Sequence, residues 1–257
     1  MGSSTVIATA LAMTILWLVS LARRDASIVD VWWGLGFVLI GVVAYQAGPG
    51  GARPLLALGM VGVWGTRLAL YLAWRNWGAG EDPRYQAMRR AWGERFWWVS
   101  FATVFLLQGV LMWIVSAPVQ WAMAIDSPLG FLDVAGLGLW ALGLFFEAVG
   151  DAQLARFKAD PANAGRVMDR GLWRYTRHPN YFGDFLVWWG LWLVAVSVPG
   201  GAWTIVGPVV MSVLLMRVSG VPLLEKSLRR RRPDYEDYCR RTSAFFPWPP
   251  SARRRVG

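Results

Sequence analysis

The chain has 257 residues, of which 56% are apolar, 18 are tryptophan and only 16% are charged, with 26 basic against 16 acidic side chains and a formal net charge of +10. A water-soluble domain of this length has no core large enough to bury such an apolar share, so the composition excludes one and points to an all-α, polytopic membrane protein. The single cysteine, Cys239, excludes an internal disulfide and thiolate sites, and the single histidine, His178, excludes a His-based cluster, so no metal site is expected.

Seven apolar segments approach the roughly 20 residues that a bilayer requires: Thr5 to Leu21, Ile28 to Tyr45, Leu55 to Trp74, Trp97 to Ser116, Leu129 to Gly150, Tyr181 to Val198 and Trp203 to Val218. The first lacks a small-x-small cleavage pattern, and its charges, Arg23 and Arg24, follow rather than precede it; it reads as a retained span and not a signal peptide. The second opens with Asp30, either a helix cap together with Ser27 or a functional carboxylate, because ionisable groups inside apolar spans are costly. Gly34, Gly36 and Gly41, like Gly136, Gly138 and Gly143 in the fifth, suit close helix packing.

In the third segment Trp64, Arg67, Tyr71 and Arg75 recur at one-turn spacing and share a face. An arginine at the depth of Arg67 needs an anion, which is either an internal carboxylate such as Glu147 or a cofactor phosphate. Glu147 and Asp151 form a second one-turn pair at the C-terminal end of the fifth segment, where the helix dipole disfavours negative charge, so a partner must compensate them.

Positive charge alternates from loop to loop. Arg23 and Arg24 follow the first segment, Arg75, Arg84, Arg89, Arg90 and Arg95 the third, Arg156, Lys158, Arg166, Arg170, Arg174 and Arg177 the fifth, and a basic tail the seventh, whereas the loops Gln46 to Pro54 and Ala117 to Pro128 carry only Arg53. The positive-inside rule then places the N-terminus outside and the C-terminus in the cytoplasm. Arginine far in excess of lysine suggests a GC-rich bacterial source, hence an inner-membrane protein. Topology and anionic lipid headgroups account for the charge surplus, and no nucleic-acid partner is expected. A single membrane domain over residues 1–257 is expected, with cofactor motifs in 151–257.

The densest chemistry lies in Arg170-Gly-Leu-Trp-Arg174-Tyr175-Thr-Arg177-His178-Pro179-Asn180-Tyr181-Phe-Gly-Asp184. Pro179 suits the first turn of a helix, whose free N–H groups and positive dipole end attract an anion, with Arg174 and Arg177 reinforcing the field. Asn180 and Asp184, four residues apart, offer amide and carboxylate partners on one face. His178 serves either an orienting hydrogen bond or a ligand contact. Neither a Gly-x-Gly-x-x-Gly turn, a P-loop nor a Gly-x-Ser-x-Gly elbow is present.

That stretch, the tryptophan-rich segment after it, and a tail with Tyr235-Glu-Asp-Tyr238 and Ala244-Phe-Phe-Pro247 together resemble the steroid 5-alpha-reductase family and its bacterial branch of formerly unknown function. The resemblance covers the second half strongly and the first half, through Asp30-Val-Trp-Trp-Gly34 and the Arg67 stripe, less so. It implies a seven-helix fold that holds NADPH from the cytoplasmic side and reduces the carbon–carbon double bond of a 3-oxo-Δ4 steroid or similar enone. Asn180 and Asp184 match an Asn and a Glu that hold the dinucleotide; Asp151 matches a family aspartate, and Lys158 stands where an arginine contacts the cofactor. Arg67 and Tyr71 match an Arg and Tyr pair, and Arg75 replaces an amide residue. The implied cofactor set extends to Glu147, Arg170, Arg174, Tyr175, Arg177, His178, Tyr181, Tyr235 and Tyr238. Asp30 and Trp64 fall nearest the positions that bind the substrate ketone, with Tyr71 beside them as the catalytic group, and a protonated Asp30 would stabilise the enolate-like charge. Expected partners are a lipophilic substrate and membrane lipids, with the protein a monomer.

Membrane isoprenylcysteine carboxyl and phospholipid methyltransferases share the Arg-His-Pro-x-Tyr element and a similar tail, and make S-adenosylmethionine the alternative cofactor. A basic, polar stripe suits a phosphorylated dinucleotide better than a cationic sulfonium. A non-enzymatic lipid-binding protein would not need so many polar groups at one membrane face.

Overall fold

The computed structural model describes residues 2–218, 220–221, 225, 228–229, 232 and 234–251. Among them the architecture is helical, with a lone β-bridge between Thr176 and Ser243. The helices are α1 Gly2–Arg23, α2 Ile28–Ala47, α3 Ala52–Arg75, α4 Pro83–Val115, α5 Ala117–Ala122, α6 Phe131–Ala159, α7 Pro179–Val196, α8 Gly201–Val218 and α9 Tyr235–Arg241. Each of the seven apolar segments is therefore helical. Six of these helices, α1 to α4, α6 and α8, are long and apolar enough to cross a membrane, and the chain is an integral membrane protein. The eighteen residues of α7 miss that mark because Pro179, Asn180 and Asp184 occupy its first two turns. Between Ala117 and Pro128, expected to be loop alone, the chain first makes the short α5, with Pro118 in its opening turn.

Contacts divide the chain into two compact units. Unit one is Met1–Val134 with Leu191–Gly207. Its centre is the α2–α3 pair, where Gly34 and Gly65 lie backbone to backbone, each so close to the other's carbonyl that an added Cβ would have no room. Val29, Phe37, Ile40, Val61 and Trp64 fill the seam, and α1 turns Ile7, Leu11 and Ile15 outward, as a lipid-facing helix does. Asp82 starts α4 by accepting from the Arg84 N–H at 2.9 Å, with Pro83 at the first helical position. Farther along, residues Phe101–Leu106 of α4 widen into a π-helical turn.

Arg53, expected as a loop charge, instead sits in the first turn of α3 as a buried ion pair. Its Nε lies 2.8 Å from Asp133, and the two side chains are 2% and 1% exposed. Pro128 O and Ser127 take further guanidinium protons, and Asp133 also accepts from Gly130 N–H at 2.8 Å. Each guanidinium nitrogen and both carboxylate oxygens thus find a partner, the condition under which a buried pair is tolerated.

Unit two is Ala135–Gly190 with Pro208–Gly257. Here α6 and α7 touch through Gly143 and Gly183: a Cβ on Gly183 would stand 2.6 Å from the Glu147 amide nitrogen. Gly190 likewise abuts the Gly136 carbonyl, while Gly138 faces open space.

Candidate functional site

Close passage at Gly143 and Gly183 brings the two polar pairs of the sequence together. The first turn of α7 runs beside the last buried turns of α6, and Asn180 Nδ2 donates to Asp151 Oδ1 at 3.1 Å. Glu147 is 3% exposed, Asp151 4% and His178 3%, so two carboxylates at the end of α6 and the imidazole just before α7 are covered by protein, while Asn180 is half-buried. Pro179 is the first residue of α7, as its fixed φ and missing N–H predict. Asn180 Oδ1 also accepts from the Tyr181 N–H at 3.1 Å, and the Tyr181 ring stacks on His178 at 5.5 Å.

The loop before α7 is tied down at both ends. Trp173 is buried and donates its indole N–H to Gly150 O at 3.0 Å, while the Leu172 N–H reaches Gln153 Oε1 at 2.9 Å. Tyr238 donates its hydroxyl to Trp173 O. Thr176 donates to Phe245 O at 2.7 Å, and Arg177 N–H to Ser243 O at 2.9 Å. The Trp248 N–H closes on Tyr175 O at 2.9 Å, leaving the Tyr175 side chain 43% exposed. Phe245 and Phe246 pack on Phe182 and Phe185 with centroids 5.7–6.1 Å apart. The Ala244-Phe-Phe-Pro247 element is therefore an anchor for the tail.

Arg177 joins that anchorage. Its guanidinium contacts Glu225 at 2.8 Å and donates to the carbonyls of Cys239 and Thr242 at 3.0 and 2.9 Å, which neutralises the C-terminal end of α9. His178 Nε2 lies 3.2 Å from the same carboxylate. Burial pushes the His178 imidazole below its ordinary pKa against the pull of Glu225. Burial also works to raise Glu225, but hydrogen bonding from His178 together with the charge and hydrogen bond of Arg177 holds it below the usual carboxylate value. Arg170 and Arg174 stay exposed beside the loop, Lys158 lies in the last turn of α6, and Tyr235 is buried with its ring 5.9 Å from that of Tyr238.

Unit one holds the remaining predicted residues. Arg67 and Arg75 place their guanidinium carbons 5.3 and 5.9 Å from the Tyr71 ring, so the stripe shares a face as its spacing requires. Trp64 is fully buried, 5.6 Å edge-on to Phe37. Asp30 stands apart from a capping role: Ser27 occupies the cap position of α2 without a side-chain cap bond, and its hydroxyl donates to Asp25. The Asp30 carboxylate instead accepts from Arg84 at 2.6 Å and from the Tyr85 hydroxyl at 2.8 Å. The Ala26 N–H donates to Glu81 at 2.9 Å, and Arg89 pairs with Glu81 at 2.7 Å, which completes a network between the α1–α2 turn and the start of α4.

Sequence reasoning counted Arg84 and Arg89 only as topology charges and passed over Tyr85, Gln153 and Glu225. Two signals were available: Asp82-Pro83 as a helix start that would set Arg84 and Tyr85 in its first turn, and Glu225 as a lone acid in a basic stretch.

A family model described as a protein of unknown function (DUF1295) matches residues 16–242. An uncharacterized protein of Schizosaccharomyces pombe is 24% identical over 270 residues, covering 91% of this chain and 76% of its own length. No solved structure matches.

Proposed function

This chain belongs to the DUF1295 family, and from that premise we propose an NADPH-dependent reductase that saturates the carbon–carbon double bond of a 3-oxo-Δ4 steroid or similar lipophilic enone. One observation carries the reading: the Asn180–Asp151 hydrogen bond, with Glu147 and His178 buried beside it, inside an integral membrane protein. Buried polar groups are expensive in such a protein and mark ligand sites.

The residues fit a dinucleotide. Asp151, Asp184 and Glu147 offer acceptors for ribose hydroxyls, Asn180 an amide partner for a carboxamide, and the exposed Arg170 and Arg174 suit a phosphate monoester. A cationic sulfonium cofactor has no use for those arginines, which disfavours the methyltransferase alternative. When bound, NADPH would supply a hydride to the β-carbon of the enone, and a proton from water would complete the α-carbon. The protein's own task is to stabilise charge growing on the ketone oxygen. Asp30 lies 2.6 Å from Arg84 and accepts from the Tyr85 hydroxyl at 2.8 Å, so a neutral hydroxyl donor stands beside it. We assign the donor role to Tyr85, whose single hydroxyl proton, directed at Asp30 here, would turn to the ketone oxygen when substrate binds.

The distribution of arginines supports an N-terminus outside, a cytoplasmic C-terminus and α7 as a seventh span in a bacterial inner membrane. Titrating NADPH, NADH and S-adenosylmethionine into the purified protein tests the proposal. NADPH binding is expected, and binding of S-adenosylmethionine alone overturns the reductase reading in favour of methyl transfer.

A further inference from the structure

At the surface of unit two, Asp169, Arg170, Gly171, Arg174, Arg241 and Ser251 line a cleft of about 480 Å³. Its charges do not balance. Arg241 is bound to Asp169 at 2.9 Å and to Asp237 at 3.2 Å, so the one carboxylate lining the cleft is already neutralised. Arg170 and Arg174 are exposed and have no acidic partner among the described residues. The turn between them is fixed: Gly171 takes a positive φ of 58°, which its missing Cβ permits, and Trp173, Leu172 and Tyr238 bind the turn to α6 and to the tail. Two uncompensated guanidinium groups on an immobilised turn form a receptor organised before its anion arrives, and a fork of N–H donors matches phosphate oxygens.

We infer that this cleft receives a phosphate monoester. Resting on the dinucleotide reading above, that monoester is the 2′-phosphate of NADPH, and Arg170 and Arg174 are the residues that separate NADPH from NADH. The same chemistry is carried by the headgroup of phosphatidic acid, which the test must tell apart.

The experiment measures dissociation constants of NADPH and NADH for the full-length protein in detergent and for an Arg170→Ala, Arg174→Ala double variant, with adenosine 2′-monophosphate as competitor. Wild type is expected to prefer NADPH by about tenfold or more, and the variant to lose that preference while its NADH affinity stays within about twofold. Arg174→Lys, which keeps charge but not the fork, falls between. Neither arginine is buried, so folding is not at stake. A wild type that discriminates and a double variant that discriminates equally well overturn the subsite and leave the reductase reading standing. A variant that keeps the preference but loses retention on phosphatidylcholine vesicles containing phosphatidic acid assigns the cleft to lipid and overturns it as well. Failure of wild type to bind either nucleotide defeats the reductase reading together with this inference.

Discussion

The Asn180 amide donates to Asp151 at 3.1 Å, which ties the first turn of α7 to the last buried turn of α6. Replacing either with alanine is expected to weaken NADPH binding roughly tenfold, the loss of about 1.4 kcal/mol. Asn180→Asp would set a second carboxylate against the buried Asp151 and should lower the thermal midpoint more than Asn180→Ala. Nucleotide titration and thermal unfolding in detergent measure the two effects separately; wild-type affinity in both alanine variants would remove the pair from the cofactor site.

Asp30 and Tyr85 share a 2.8 Å hydrogen bond at the start of α2 and α4. Tyr85→Phe keeps the ring and deletes the donor, so turnover of a 3-oxo-Δ4 steroid should fall by about 10²–10³ while nucleotide affinity holds. Asp30→Asn should cost less, because it retains an acceptor for the hydroxyl. Arg84 is 54% exposed, and removing its ion pair is worth at most about 1 kcal/mol of stability. Steady-state rates normalised to folded protein check this, and a Tyr85→Phe enzyme with full turnover would move the donor role elsewhere.

The Arg53–Asp133 pair is covered on both sides, so the direction reverses. Arg53→Met leaves a buried carboxylate without its partner, and a loss of about 3–5 kcal/mol is expected, enough to depress folded yield. Arg53→Met combined with Asp133→Leu removes the charge as well as the partner and should recover most of the loss. Comparing denaturation midpoints of the single and double variants supplies the measurement.

Docking of the tail on Arg177, His178 and Glu225 should depend on pH. Both titrating groups have folded pKa values below their ordinary ones of 6.5 and 4.5. The unfolded tail therefore takes up protons first as pH falls. Stability is fully present above pH 6.5, declines as His178 titrates below it, and declines again below 4.5 as Glu225 titrates. Limited proteolysis of the tail across that range should accelerate toward acid in these two stages, and His178→Asn should abolish the first.

Sequence alone determined what depends on local period and composition. Seven apolar stretches became helices, six of them long and apolar enough to cross a membrane, where a segment can satisfy its own backbone only that way. The Arg67, Tyr71 and Arg75 stripe followed from 3.6 residues per turn, and the start of α7 from the fixed φ of Pro179. What lay beyond reach were the partners of the charged side chains. Asp30 and Arg84 are 54 positions apart, Arg53 and Asp133 80, and Arg177 and Glu225 48. No periodicity spans such distances, and a long side chain reaches whichever opposite charge the helix packing delivers. Packing was itself decided by tertiary contact: glycines at Gly34, Gly65, Gly143 and Gly183 permit close approach, but only the folded units show which faces which. That choice set Asp151 beside Asn180, and tail packing set Arg177 on Glu225 and on the carbonyls of Cys239 and Thr242.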